Sequence, residues 1–279
     1  MKIAVVTLHK MEIIGYVAAL IVGVSMGLIG GGGSILTLPI LVYLFGIEPL
    51  IATSYSLFVV GITSFAGVIL KIKEKQVDFK MALLFGLPDL LGVVVMRTFI
   101  FPPIPGNLFL VHNHMVTKGE LVLILVSILM LISSFLLLKR SSKLNPSIHE
   151  NKQRPVFILM LIGFLTGLLT GMVGVGGGFI IIPVLVLWTQ LPMKFAIGTS
   201  LAIIAAKSIM GFVADKVNFN LEHNLILWIS GLSLIGLFLG NTISRQISAL
   251  KLQKGFGWLV ILVGAYMFFN TLYTILIKN

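Results

Sequence analysis

Apolar residues come along this chain in long runs broken by short polar stretches. Ten runs stand out, near 12–30, 34–46, 52–70, 80–100, 119–138, 156–174, 178–189, 195–214, 224–243 and 256–276. Most are long enough, at about 1.5 Å per residue, to cross roughly 30 Å of hydrocarbon as helices. The second and seventh hold only about twelve apolar residues each. That is too short for an upright span and predicts re-entrant or half-helices. The stretch before the first run is too short for the apolar core of a cleaved signal peptide, so the first span is expected to stay. One long polar segment, KRSSKLNPSIHENKQRP at 139–155, divides the chain near its midpoint. The expected organisation is a first membrane repeat at 1–138, a cytoplasmic basic linker at 139–155 and a second membrane repeat at 156–279.

Composition rules out the soluble alternative. Of the 279 residues, 58% are hydrophobic and 10% charged, and the mean hydropathy is +1.11. A soluble domain carries about a quarter charged residues to cover its surface. The chain is therefore expected to be an all-α polytopic membrane protein. Cysteine is absent, which excludes disulfides, thiolate metal sites and cysteine nucleophiles. The net charge of +11 admits three readings: a nucleic-acid partner, an anion, or the signals that orient membrane insertion.

The two halves resemble each other. At an offset of 144 residues GLIGGGGSILTLPILV aligns with GMVGVGGGFIIIPVLV, and ATSYSLFVVGITSFAG with AIGTSLAIIAAKSIMG. Gly27/Gly171, Gly30/Gly174, Gly32/Gly176, Gly33/Gly177, Pro39/Pro183, Ser56/Ser200, Ser64/Ser208 and Gly67/Gly211 are identical in register. Charge then suggests orientation. Lys71, Lys73, Lys75 and Lys80 follow the third span, whereas the matching loop 215–223 has Lys216 beside Asp215 and Glu222. One span later the bias reverses: loop 101–118 carries Lys118 alone, and 244–255 carries Arg245, Lys251 and Lys254. Positive loops remain in the cytoplasm. Equivalent loops thus fall on opposite sides, which predicts two inverted repeats of about five segments each, including the short glycine-broken half-helices. Most basic residues then lie in cytoplasmic loops, so the charge is an insertion signal and implies no nucleic-acid partner.

Gly30, Gly31, Gly32 and Gly33, and Gly174, Gly176, Gly177 and Gly178, each precede a short apolar segment. Glycine clusters let a helix break and restart. A restarted helix offers free N–H groups and its positive dipole end to an anion. Close packing of helices by small residues is the structural alternative. The paired motifs G-x-x-G-G-G-G-x-x-x-x-x-P and G-x-x-G-x-G-G-G-x-x-x-x-P, each followed by an A-x-x-x-S-L segment, resemble the TauE/SafE sulfite exporter family across essentially the whole chain. The resemblance implies a permease of the bacterial or archaeal inner membrane, moving sulfite, sulfonates or related small organic anions.

Two ionisable residues fall near mid-span: Lys207 in AIIAAKSIMG and Asp89 in FGLPDLLG. An unpaired charge at that depth costs at least about 2.5–3.5 kcal/mol and marks function or a buried pair. Lys207 is expected to bind the anion, and Asp89 to pair with it or carry a coupling proton. Pro88 loosens the backbone beside Asp89. At the starts of the third and eighth spans Thr53, Ser54, Ser56, Thr199 and Ser200 are candidates either to cap helices or to ligate an oxyanion. Arg97, near the end of the fourth span, is expected to snorkel to the interface, with an anion gate as the alternative. His9, His112, His114, His149 and His223 are expected in loops, and Trp188, Trp228 and Trp258 as interfacial anchors. No nucleotide-binding motif, cofactor site, metal-spaced ligand set or nucleophile–base pair is apparent. The expected function is therefore a gradient-driven carrier of a small anion, with lipid and coupling protons as its other partners, and not an enzyme. An anion channel of the same fold is the rival, and a homo-oligomer is compatible with either.

Overall fold

The computed structural model of the chain describes residues 2–111, 114–141, 156–215, 223–244, 246 and 249–276. The first half contains α1 (Lys2–Ile29), a tight 3-10 turn over Gly30–Leu36, α2 (Thr37–Tyr43), α3 (Pro49–Lys73) and α4 (Phe79–Val95). One π-turn over Met96–Ile100 prolongs α4. A small antiparallel hairpin, β1 (Asn107–Val111) and β2 (His114–Thr117), leads into α5 (Lys118–Ser141). The second half contains α6 (Val156–Val173), α7 (Gly178–Trp188), α8 (Met193–Ala214), α9 (His223–Ser244) and α10 (Ala249–Leu276). Among the described residues ten α-helices thus correspond to the ten apolar runs. Eight stretches among the described residues are long and apolar enough to cross a bilayer. The hairpin falls within a predicted loop and is the one departure from an all-helical chain. His9 lies inside α1, not in a loop. The linker 139–155 and the loop 215–223 fall mostly outside the described residues.

The apolar run Ile13–Tyr43 is continuous in sequence, yet it is not one straight helix. A β-carbon on Gly33 would lie 2.6 Å from the backbone nitrogen of Met26. Seven residues of continuing helix would put those positions about 10 Å apart, so the chain doubles back at the glycines. Gly30 has a φ of +69°, which side-chain-bearing residues avoid. The second half repeats this. Gly174 and Gly177 have φ of +69° and +76°, and Gly177 packs on Thr170 of α6.

Helices in lipid associate through close packing and hydrogen bonds, because the apolar solvent supplies little drive of its own. Glycine stripes provide that approach here. On α6, Gly163, Gly167 and Gly171 lie against Phe85, Asp89 and Val93 of α4. On α1, Gly23 and Gly27 lie against Ser233 and Leu237 of α9. Both pairs run parallel, each joins one half to the other, and the four contacting sets coincide under the 144-residue offset. The α3/α8 pair is antiparallel: Gly61 meets Ile209, Gly67 meets Leu201, and Gly211 meets Leu57. The α5/α10 pair is antiparallel too, with Gly257 against Leu138 and Gly264 against Met130. Trp228 and Trp258 face outward, as expected of residues at a lipid boundary.

Candidate functional site

The two glycine turns meet at the centre of the molecule. A β-carbon on Gly31 would sit 3.1 Å from the Cα of Gly178, and one on Gly178 would overlap the Gly31 carbonyl. Gly176 presses on Val60 of α3, Ile204 of α8 and the Ser34 hydroxyl. Val60 and Ile204 are themselves equivalent under the repeat offset. All eight predicted glycines are buried here. At Gly178 glycine is needed because the Gly31 backbone occupies the space of a side chain, and at Gly31 the tip of the Ile204 side chain fills it.

Lys207 and Asp89 complete this centre. Lys207 Nζ lies 2.8 Å from Asp89 Oδ2, with the side chains 1% and 0% exposed. The ammonium also donates to Thr170 Oγ1 at 3.0 Å, and the Thr166 hydroxyl donates to Asp89 Oδ1 at 3.0 Å. Three helices are needed for this. The α6 glycine stripe lets α4 approach so closely that a β-carbon on Gly167 would strike the Asp89 carbonyl. That approach brings Asp89 beside α6 threonines, and α8 supplies the lysine. The position of a β-carbon on Gly177 lies 2.7 Å from Lys207 Nζ. The cation therefore stands at the start of α7, whose N-cap residue offers no side chain to the first-turn amides. A positive side chain beside uncapped N–H groups is favourable surroundings for an anion.

The hydroxyl candidates divide. Thr53 and Ser200 donate back within their own helices, to Leu50 O and Ile197 O, both at 2.8 Å. Thr199 Oγ1 accepts from the backbone N–H of Asp78 at 2.9 Å. None caps its helix, because α3 and α8 begin earlier, after Glu48 and Pro192. Ser56 Oγ is buried with no hydrogen-bond partner among the described residues. Thr199 and Ser200 lie a turn or two from the centre on α8, below Ile204 and Lys207, and are not joined to Lys207 by any described bond.

Arg97 corrects an expectation. It does not snorkel: it is 1% exposed, donates from Nε to Gly171 O at 2.7 Å, and pairs through Nη1 with Asp215. Asp215 also accepts from the Ser54 hydroxyl. The hydrophobic end of α4 offers Arg97 no aqueous exit, and the π-turn at Met96–Ile100 carries it inward over Gly171. At the other end of the α3/α8 pair Lys71 Nζ donates to Asn241 Oδ1 at 2.7 Å and to Glu74 Oε2 at 2.8 Å. Asp215, Lys71, Asn241, Thr166 and Thr170 were not singled out from sequence. The offset carried a signal for three of them, since it pairs Lys71 with Asp215 and Arg97 with Asn241. His112 and His149 lie outside the described residues, and His114 Nε2 bonds Glu120 Oε1 at 2.9 Å.

A multi-pass helical membrane protein with two broken helices crossing at a buried charged centre has the build of a transporter. The sequence profile of the sulfite exporter TauE/SafE family matches residues 16–267, and the chain belongs to that family, which makes it a membrane transporter. It is 29% identical over 260 residues to a probable membrane transporter protein of Xylella fastidiosa, covering 90% of this chain and 92% of the relative. It is also similar to the probable membrane transporter protein YunE of Bacillus subtilis, 25% identical over 92% of this chain and 97% of YunE. A third relative, the probable membrane transporter protein MJ0441 of Methanocaldococcus jannaschii, is 30% identical over 71% of this chain and 70% of its own length. No solved structure matches the chain.

Proposed function

We propose that this protein is a secondary carrier of a small anion, of the sulfite, sulfonate or related organic-acid class, working in the inner membrane by alternating access. The two membrane repeats, 1–138 and 156–279, are inverted relative to each other and rock about the α3/α8 contact. The observation that carries this reading is the meeting of both glycine turns beside Lys207 Nζ. In support of inversion, α3 and α8 are equivalent under the repeat and run antiparallel, and the positive-loop bias reverses between halves. The anion is held by Lys207 and by the backbone N–H groups at the start of α7. Asp89 releases Lys207 when the anion arrives and takes up a proton, which couples transport to the proton gradient without nucleotide or cofactor.

The test is flux in proteoliposomes loaded with labelled sulfite, methanesulfonate or taurine. At least one anion should move, a proton gradient should drive it, and Lys207→Met should abolish it at normal protein abundance. Normal flux through Lys207→Met would overturn the site assignment. Unitary currents far above carrier turnover would replace the carrier with a channel.

A further inference from the structure

The network around Arg97 holds more positive charge than its structural duty needs. Of the five N–H groups on a guanidinium, Nε serves Gly171 and Nη1 serves Asp215, while Nη2 is buried with no hydrogen-bond partner among the described residues. Nη2 lies 2.6 Å from the position of a β-carbon on Gly174, where the glycine turn has its first positive φ. A second cation is close by. Lys118 is 7% exposed, donates to the Phe101 and Ile104 carbonyls, and sits 3.8 Å from the centre of the Phe101 ring. The Arg97 guanidinium lies 5.9 Å from the same ring. Among the described residues Asp215 is the carboxylate that pairs with Arg97, and Glu120 in the first turn of α5 is taken by His114 and Thr117. The turn 174–177 is therefore flanked by two buried cations, Lys207 at Gly177 and Arg97 at Gly174.

The equivalent network at the far end differs in charge. Lys71, Glu74 and Asn241 also tie one half to the other, and there, among the described residues, Lys71 meets Glu74 and the Asn241 amide. The offset replaces Arg97 by Asn241 and Asp215 by Lys71. Two inter-half latches thus stand at opposite ends of the α3/α8 pair, and one has a surplus cation and an unused N–H.

We infer that Arg97 forms a second anion station, separate from the Lys207 centre, where a small oxyanion docks on the guanidinium in place of Asp215. A planar fork suits two oxygens of one oxyanion, and Nη2 is the donor already free for it. Displacement of Asp215 also unties the C-terminal end of α8 from α4, so docking at this station opens its own end of the pathway. The Lys71 latch, without spare charge, closes the other end and binds no anion. This inference rests on the proposed anion transport, yet it concerns a different site.

The experiment is a melting titration of the purified full chain with sulfite, sulfate and methanesulfonate, against chloride at matched ionic strength. The background is Lys207→Met/Asp89→Asn, which removes the central cation and its counter-ion together. At least one oxyanion should still give a saturable rise in melting temperature there. Adding Arg97→Gln/Asp215→Asn should abolish the rise, and Asp215→Asn alone should lower the half-saturating concentration several-fold. If the central double variant loses the response that the parent shows, binding is central only, and this inference falls while the proposed function stands. A response that survives Arg97→Gln/Asp215→Asn also overturns it, as does the lack of any response in the parent; flux in proteoliposomes decides the proposed function independently. Should Arg97→Gln/Asp215→Asn not fold, Arg97→Lys keeps the charge without the fork and must weaken the half-saturating concentration; unchanged binding would refute the station.

Discussion

Replacing Lys207 by methionine keeps much of the side-chain volume and removes the cation from a pair whose members are 1% and 0% exposed and 2.8 Å apart. Among the described residues Asp89 then keeps only the Thr166 hydroxyl, whose one proton it shares with Gly163 O. Breaking a buried pair from one side costs about 3–5 kcal/mol, because the other charge stays buried and uncompensated. At roughly 2–4 °C per kcal/mol for a chain of this order of size, melting should fall by roughly 6–20 °C. Asp89→Asn should cost a similar amount, leaving Lys207 with Thr170 alone. The double variant holds no orphan charge, and its asparagine can still accept from Thr166, so its melting should stay within about 5 °C of the parent. The two single effects are therefore strongly non-additive, with a coupling of about 3 kcal/mol or more. Flux separates structure from function. The double variant should fold and carry no anion, as should the charge-swapped Lys207→Asp/Asp89→Lys, which moves the cation onto α4. Additive melting shifts would refute the buried pair. Parental flux through the double variant would refute the role of Lys207 in binding.

Other expectations follow from the packing. Gly46 has a φ of +67° and no neighbour within 4 Å of an added β-carbon, so Gly46→Ala should cost only backbone strain, about 1–2 kcal/mol in thermal melts. Gly178→Ala meets the Gly31 backbone and should destabilise the chain by more and stop flux, although Gly178 lies in ordinary helix; mild effects would mean that the turns do not touch. Gly167→Val strikes the Asp89 backbone and should separate α4 from α6, whereas Gly231→Ala, with open space around it, should be neutral or gain up to about 1 kcal/mol of helix propensity in the same melts. Because the chain lacks cysteine, single cysteines at Lys75 and Gly106 can be labelled from either side with an impermeant maleimide. Lys75 should react from the cytoplasm and Gly106 from outside, and reaction from one side would sink the proposed topology.

Helix number and the two short broken segments were legible because apolar length and glycine clustering are local properties of the chain. Lys207 and Asp89 were legible as a pair because a lone charge at mid-span must find a partner. Arg97 was misread for the same local reason. Near the end of an apolar run, a snorkelling arginine and one anchored inward look alike. The difference lies in a π-turn and in Asp215, which is distant in sequence and sits in what reads as a loop. Of the two readings of Thr53, Ser54 and Ser200, capping fails because α3 and α8 begin a few residues before the apolar runs. Pro49 at the first turn of α3, and Pro192 ahead of α8, mark the true starts. Thr166 and Thr170 gave no sign, since threonine in an apolar helix commonly bonds its own backbone, as Thr170 also does to Thr166 O at 2.8 Å.

The scaffold is doubled while the chemistry is single, and the α3/α8 contact accounts for the difference. Those helices are equivalent under the repeat and meet antiparallel, with Gly61 against Ser208 and Ile209. Lys207 lies just before Ser208 and Thr63 just beyond Gly61, at positions equivalent under the repeat offset. The Thr63 hydroxyl donates to Val59 O at 2.7 Å. A lysine at both places would set two ammonium groups near one contact. The second ammonium would add its own burial cost of several kcal/mol to its repulsion from the first. Among the described residues Asp89 is the carboxylate paired with Lys207, and its counterpart under the offset is Ser233, bonded to Ala19 O at 3.1 Å. One cation with one counter-ion avoids both penalties, and duplicate glycine turns around a single lysine fit the proposed carrier with one central site. The consequence is testable by relocation: Lys207→Thr/Asp89→Ser with Thr63→Lys should place the cation on α3 without a counter-ion, and transport should fail unless Ser233→Asp is added to supply one.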